Sequence, residues 1–255
     1  MKRLITWGTG ELGGRVARLW HHNGGEVIGF TQTTERHATL QKSGITPRAG
    51  DPTEFIKSND ILLLSLPGHL KQKTAVEALR DQTPTHRIVL VSSTGYYGLP
   101  EGTVTEETPV GDGKRPAAIA DTERLFQEWA GKQGVLIRLG GLYRKGRGPY
   151  SALYKKGVAP LGPPNKTLAL IHYDDAAQAI FEALRHPQPQ ATYLAVTPPC
   201  PTRQMFYTAA CEKLDASQPD FSDPLPHPPA IFDVAQLRQD LLPNPAYPDW
   251  EAALG

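Results

Sequence analysis

Two short stretches of this 255-residue chain carry groups able to do chemistry. Residues 8–13 read GTGELG, so Gly8, Gly10 and Gly13 fall at the G-x-G-x-x-G spacing directly after the apolar run LITW. Gly8 permits a tight turn, Gly10 lets a pyrophosphate approach the backbone, and Gly13 lets a following helix lie close to a sheet. Thr9 belongs to the same turn, and the N–H groups around Glu11 and Leu12 then face the anion. The second stretch, residues 88–98, reads IVLVSSTGYYG. Here an apolar run ends in Ser92, Ser93 and Thr94, followed by Tyr96 and Tyr97. Buried hydroxyls must find partners. This cluster therefore either stitches a turn together or lines the lip of a site.

The run VIGF (27–30) ends where an NAD enzyme usually carries an acid for the ribose hydroxyls. This chain has Thr31, Gln32 and Thr33 instead, with Arg36 beyond. Hydroxyls, an amide and an arginine accept a 2′-phosphate, with no carboxylate at the strand tip to repel it. NADP is the expected cofactor and NAD the alternative.

The elements that must position these groups follow from periodicity. Strand-like runs occur at 4–7, 27–30, 61–66, 87–93 and 135–139, several of them continuously apolar, as parallel strands covered on both faces require. Helical spacing is read from Glu11 to His22, from Lys71 to Arg80, and through Ile119, Leu125, Phe126 and Trp129. This alternation predicts an α/β fold with a doubly wound parallel sheet. After Gly146 proline becomes dense, at 160, 163, 164, 187, 189, 198, 199 and 201. Strands are expected there at 167–172 and 192–196, then a proline-rich connection over Pro219–Pro229 and a short helix over Val234–Leu242. The division expected is residues 1–145 as dinucleotide-binding domain and 146–255 as a smaller substrate-binding lobe, interleaved with the sheet edge as one structural unit.

Composition removes several function classes. With 27 Lys plus Arg against 26 Asp plus Glu the net charge is +1, so no basic nucleic-acid or membrane footprint exists. Cys200 and Cys211 form neither a disulfide framework nor a zinc pattern. The opening MKRLITWGTG has too short an apolar run for a secretory signal. The expectation is a soluble, unprocessed, cytoplasmic protein with a small-molecule substrate. His172, Asp174 and Asp175 resemble a metal triplet, but their setting reads as a strand entering a helix with an aspartate cap. No metal is expected.

GTGELGG, ILLLSLPG, VSSTGYYG, RLGGLYRKGRG and LIHYDDAAQAI, in this order, resemble the short-chain dehydrogenase/reductase superfamily, in its extended and atypical epimerase/dehydratase-like form. The ending AYPDWEAAL resembles a smaller bacterial branch, the YeeZ-type proteins. The resemblance implies an NAD(P)-binding Rossmann fold, with Leu66, Pro67 and Ser92 at the cofactor. It implies Ser93 as hydrogen-bond donor to a substrate carbonyl, and Thr94, Tyr96 and Arg147 at the substrate.

The family pairs that serine with Y-x-x-x-K, a tyrosine acid and a lysine that lowers its pKa. Anchored on Glu123, this sequence has Arg115 and Ile119 at those positions. Neither is expected to matter much to chemistry. Tyr96, Tyr97 and Tyr143 are the candidate replacements, with Tyr97 and Tyr143 preferred, and Arg144 and Lys145 beside Tyr143 would lower its pKa. The function expected is an NAD(P)-dependent oxidoreductase or epimerase/dehydratase-like enzyme acting on a small polar carbonyl or sugar-like compound. The alternative is a catalytically inactive NADP-binding sensor or regulatory Rossmann protein. A monomer or weak homodimer is expected, because the apolar face around Phe126 and Trp129 is modest.

Overall fold

The computed structural model describes residues 2–152, 163–213, 215–218, 220–221 and 228–254. The strands are β1 Leu4–Trp7, β2 Val27–Thr31, β3 Thr46–Ala49, β4 Ile61–Leu64, β5 Arg87–Ser93 and β6 Gly102–Val104. They continue as β7 Gly134–Leu139, β8 Gly141–Tyr143, β9 Leu170–His172, β10 Thr192–Ala195 and β11 Ala230–Phe232. The helices are α1 Glu11–His22, α2 His37–Lys42, α3 His69–Leu79, α4 Lys114–Ala130, α5 Tyr173–Arg185, α6 Arg203–Lys213 and α7 Ala235–Asp240.

Seven strands form one parallel sheet in the order β10-β7-β5-β4-β1-β2-β3. Side chains alternate across it, so each strand feeds two cores. Leu4, Ile61, Leu63, Val89, Val135 and Ile137 face α1 and α5. Ile5, Leu62, Leu64, Ile88, Leu90 and Leu136 face Val76 and Leu79 of α3 and Phe126 and Ala130 of α4. Burial on both faces is why these strands read as unbroken apolar runs. The chain leaves β1 toward β2 and β3, then crosses back to β4 on the other side. The β1–β4 boundary is the switch point, where ligands of such sheets bind at the carboxyl ends of the strands.

The second half of the chain enters this architecture rather than standing apart. β10 pairs with β7, and α5 lies against α1, where Trp20 meets Phe181 edge-on with ring centroids 6.0 Å apart. Arg15 of α1 also pairs with Asp174 of α5. A satellite core of Tyr143, Tyr150, Leu170, Phe206 and Trp250 gathers β8, β9, α6 and the C-terminal AYPDW segment. The strand read at 167–172 is shorter, since only 170–172 pairs and Thr167 makes a single bridge to Thr202. Pro160, Pro219 and residues 222–227 of the proline-rich stretches lie outside the described residues. The cap of α5 is His172, not an aspartate: its Nδ1 accepts the Asp174 N–H at 3.2 Å. Asp175 instead accepts the N–H groups of Ala246 and Tyr247, at 2.7 and 3.0 Å, and so docks the C-terminal segment.

A buried ion pair fixes the carboxyl end of β5. Arg138 of β7 and Glu123 of α4 are 6% and 3% exposed. The guanidinium donates to Glu123 Oε2 from Nη2 at 2.8 Å and from Nε at 3.1 Å. Its Nη1 donates to the Tyr97 hydroxyl and to the Glu106 carbonyl, each at 2.9 Å. The ring of Tyr96 lies 3.6 Å beneath it. Ser92 donates its hydroxyl to Glu123, so this carboxylate also holds the strand end.

Removing one member of a buried pair leaves an uncompensated charge, at a cost of about 3–5 kcal/mol. Glu123→Gln should therefore lower unfolding stability by roughly that amount in urea titration; a loss below ~1 kcal/mol would mean that water reaches Arg138. A second expectation concerns acid. Burial pushes the His172 imidazole below its ordinary value, against the opposing charges of Asp174 and Asp175. Its folded value lies below the unfolded one, so its contribution is complete above the unfolded pKa, about 6.5, and is lost as pH falls through the folded value. Protonation also removes the lone pair that caps α5. His172→Asn keeps a capping side chain and should show a shallower loss of melting temperature between pH 7 and 5 than wild type. Identical slopes would remove His172 from this role.

Candidate active site

The glycine turn is built for close approach. Gly8 has φ +97°, and a Cβ there would lie 2.4 Å from the Ser65 carbonyl oxygen. A Cβ on Gly13 would lie 2.3 Å from the Gly8 carbonyl oxygen. These two glycines are required by the packing of the turn on β4 and on itself. Gly10 differs: no atom lies within 4 Å of its Cβ position. It caps α1 with φ −76° and no side-chain hydrogen bond, leaving the first-turn N–H groups open. A cradle with open space at Gly10, ahead of a helix N-terminus, fits a dinucleotide pyrophosphate.

A cavity of about 630 Å³ opens from this turn across the switch point. Gly8, Thr9, Gly10, Thr31, Gln32, Thr33, Arg36, Leu66 and Pro67 all line it, so the sequence-based set converges there. Within that set, Leu12 faces the core and Thr9 is buried, its hydroxyl directed at the carbonyls of Thr6 and Phe30. Sequence reading missed Asp51 and Lys71 in the lining. Asp51 follows β3, an edge strand too short and too exposed to be legible, and Lys71 reaches Gln32 at 3.4 Å.

Beside it lies a basin of about 450 Å³ lined by Gly10, Glu11, Arg15, Arg18, Arg36 and Arg147. Arg36 lines both cavities. Glu11 accepts from Arg147 at 2.7 Å, from Arg15 at 3.3 Å and from Arg144. Burial pushes the Glu11 carboxyl up, but the hydrogen bonds from Arg144 and Arg15 outweigh it and hold the group below its usual range. Arg18 is held below its ordinary value by burial and by the like charges of Arg15 and Arg36.

Three expectations change here. Arg147, expected at the substrate, is committed to Glu11 on the cofactor side. Tyr143, expected as an acid beside Arg144 and Lys145, is fully buried, edge-on to His172 and Phe206. Its hydroxyl has no hydrogen-bond partner among the described residues, and burial first, then Asp175 and Asp249, pushes its pKa up. Arg144 turns away to Glu11. Ser92, expected at the cofactor, is buried on Glu123.

A third cavity, about 830 Å³, lies at the carboxyl ends of β5 and β7. Ser93, Thr94, Gly95 and Tyr97 line one wall. The Ser93 Oγ accepts the Gly95 N–H at 3.0 Å, which leaves its own proton free to donate. Tyr96, expected at the substrate, is packed on Arg138 instead. The Tyr97 hydroxyl is pushed up to about 12 by burial, against the pull of Arg138. Arg115 lines this cleft as well, and Lys166 does so from the second half. A Cβ on Gly95 would sit 3.1 Å from Ile119 Cδ1, 3.2 Å from Ser93 Oγ and 3.4 Å from Arg115 Nε. Arg115 and Ile119 therefore face the serine turn, and Arg115 lines the cleft. Nothing in the sequence around Lys166 (PPNKT) signalled its position. Among the described residues no group of three His, Cys, Asp or Glu side chains could hold a metal ion.

No protein-family model matches the chain. It is 28% identical to protein YeeZ of Escherichia coli K12 over 276 aligned positions, covering 98% of this chain and 97% of that protein. An epimerase family protein, the chloroplastic SDR39U1 homolog of Arabidopsis thaliana, is 33% identical over 115 positions, 39% of this chain and 31% of that protein. The fold is that of the UDP-glucuronic acid 4-epimerase of Bacillus cereus, solved with NAD, at TM-score 0.77, 13% identity and coverage of 99% and 96%. The chain is thus similar to YeeZ over its full length, to the epimerase family protein over 39% of its residues, and shares its fold with the NAD-bound epimerase.

Proposed function

We propose that this protein is an NADP(H)-dependent oxidoreductase that transfers a hydride to or from a small polar carbonyl or alcohol at Ser93. Residues 1–145 supply the dinucleotide site apart from Arg147 in the arginine basin, and residues 146–255 supply the other wall of the substrate cleft. The observation that carries the reading is the pair of adjoining cavities at the switch point. The one lined by the glycine turn suits the adenosine and pyrophosphate, and the arginine basin that shares Arg36 suits a 2′-phosphate. Arg15, Arg18 and Arg36 crowd like charges there, and a bound phosphate relieves that repulsion.

Bound NADPH would supply the hydride. The chain's own part is to orient and polarise. The Ser93 hydroxyl, its oxygen already accepting from Gly95, donates a hydrogen bond to the substrate oxygen, and the alkoxide left by hydride addition takes its proton from solvent water in the open cleft. Such a preorganised donor acts where negative charge develops. Tyr97, held neutral, shapes the same wall.

NADPH should bind more tightly than NADH in calorimetry. Arg36→Ala should erase that preference, a change of roughly 10–100-fold. Gly10→Val should abolish binding of both with an unchanged melting temperature, because the added side chain enters open space. Unimpaired binding by Gly10→Val would sink the site. With a substrate found by the absorbance change at 340 nm, Ser93→Ala should lower kcat by ~10²–10³ and leave NADPH affinity unchanged. Binding without turnover on any carbonyl compound would favour the sensor reading.

A further inference from the structure

We propose that the cleft beside Ser93 takes a carbonyl compound bearing a carboxylate, with Arg115 and Lys166 as the residues that recognise the anion. The inference rests on the proposed function for its reacting carbonyl, but not for the anion itself.

Ser93 and Arg115 both line the cleft, and both flank Gly95: Ser93 Oγ and Arg115 Nε lie 3.2 and 3.4 Å from the position a Cβ there would take, so the two polar groups stand side by side on one wall. A guanidinium is suited to grip a carboxylate through paired N–H groups. Lys166 lines the same cleft from the segment after Pro163 and Pro164. Burial, then the positive charges of Arg203 and Arg115, pushes its ammonium down. Two cations that repel each other across a cleft are relieved by an anion between them. Neither Arg115 nor Lys166 forms an ion pair or side-chain hydrogen bond with another described residue.

The remaining charges select the kind of anion. Glu101 and Asp112 also line the cleft, both exposed. They favour a singly charged carboxylate over a doubly charged phosphate ester, which two acids at the rim repel more strongly. Arg115 stands where the family carries its tyrosine. The position is thus turned from an acid into an anchor, which leaves Ser93 to polarise the carbonyl.

Saturation-transfer NMR on the full chain tests this without cofactor or turnover. The probes are 2-oxo acids from pyruvate to 2-oxohexanoate, their neutral amides, and hydroxyacetone phosphate. Several 2-oxo acids should bind, and the amides should bind at least tenfold more weakly. Arg115→Ala should weaken the acids by roughly 10–100-fold and leave the amides unchanged. Arg115→Lys should recover part of the loss, and Lys166→Met should show a smaller loss of the same sign. Because Arg115 is exposed on the first turn of α4, these variants should fold as wild type does. Equal binding of acids and amides, unchanged acid affinity in Arg115→Ala, tighter binding of hydroxyacetone phosphate, or no acid binding at all would each overturn the proposal. Calorimetry with NADPH on the same samples separates the two readings. Carboxylate binding that depends on Arg115 without NADPH binding would sink the proposed function and leave this inference standing.

Discussion

Glu123 and Arg138 are shut away from water between α4 and β7, and the wall of the cleft that carries Ser93 hangs from them. A buried charge is tolerated only when paired and fully hydrogen-bonded. Here the demand is met by groups from five places in the chain: Ser92 on β5, Tyr96 and Tyr97 in the turn beyond, the Glu106 carbonyl, and the two charged residues themselves. Glu106 extends the network by accepting the Leu194 N–H of β10 at 2.8 Å. The turn that carries Ser93 is therefore fixed at both ends. Ser92 is tied to Glu123 before it, and Tyr97 is tied to Arg138 after it. Two of the five hydroxyls in that stretch serve the pair, and a third residue, Tyr96, covers it. Ser93 and Thr94 are left for the cleft.

A second set of charges joins the halves of the chain. Arg144 and Arg147 reach back from the second half to Glu11, at the start of α1. Asp174, at the start of α5, reaches Arg15 on the same helix. These pairs are partly exposed and contribute little stability singly. Their arrangement matters more than their strength. The arginines that hold Glu11 stand at the mouth of the phosphate cradle, so the glycine turn and the second half are positioned by one cluster.

The main sheet was legible because β1, β4 and β5 are buried on both faces, and burial writes itself as continuous apolar sequence. The glycine turn was legible because Gly8 and Gly13 answer to close backbone contacts that admit no side chain. β3 was not, since an edge strand carrying Pro47 and facing solvent has neither apolar run nor alternation. Arg147 and Tyr143 were misread for a different reason. Motif position fixes where the backbone runs, but a side chain goes to its strongest local partner. Arg147 goes to Glu11, more than a hundred positions earlier, and Tyr143 goes into an aromatic cluster whose members come from four segments. Arg115 lies beside Gly95 in the serine turn. No motif names an arginine there, so no role could be read from the sequence. Lys166 is brought to the cleft only by the folding of the second half, which no local pattern records.

The proposed function requires one cofactor to run from the glycine-turn cavity and the arginine basin to the cleft at Ser93, with its phosphates at the glycine turn and its reacting end at Ser93. A crystal structure of the NADPH complex tests this most directly. The account predicts the pyrophosphate against the Gly10 backbone, the 2′-phosphate among Arg15, Arg18 and Arg36, and the nicotinamide C4 atom facing the Ser93 side of the cleft. A nucleotide bound elsewhere, or a nicotinamide turned away from Ser93, would contradict it.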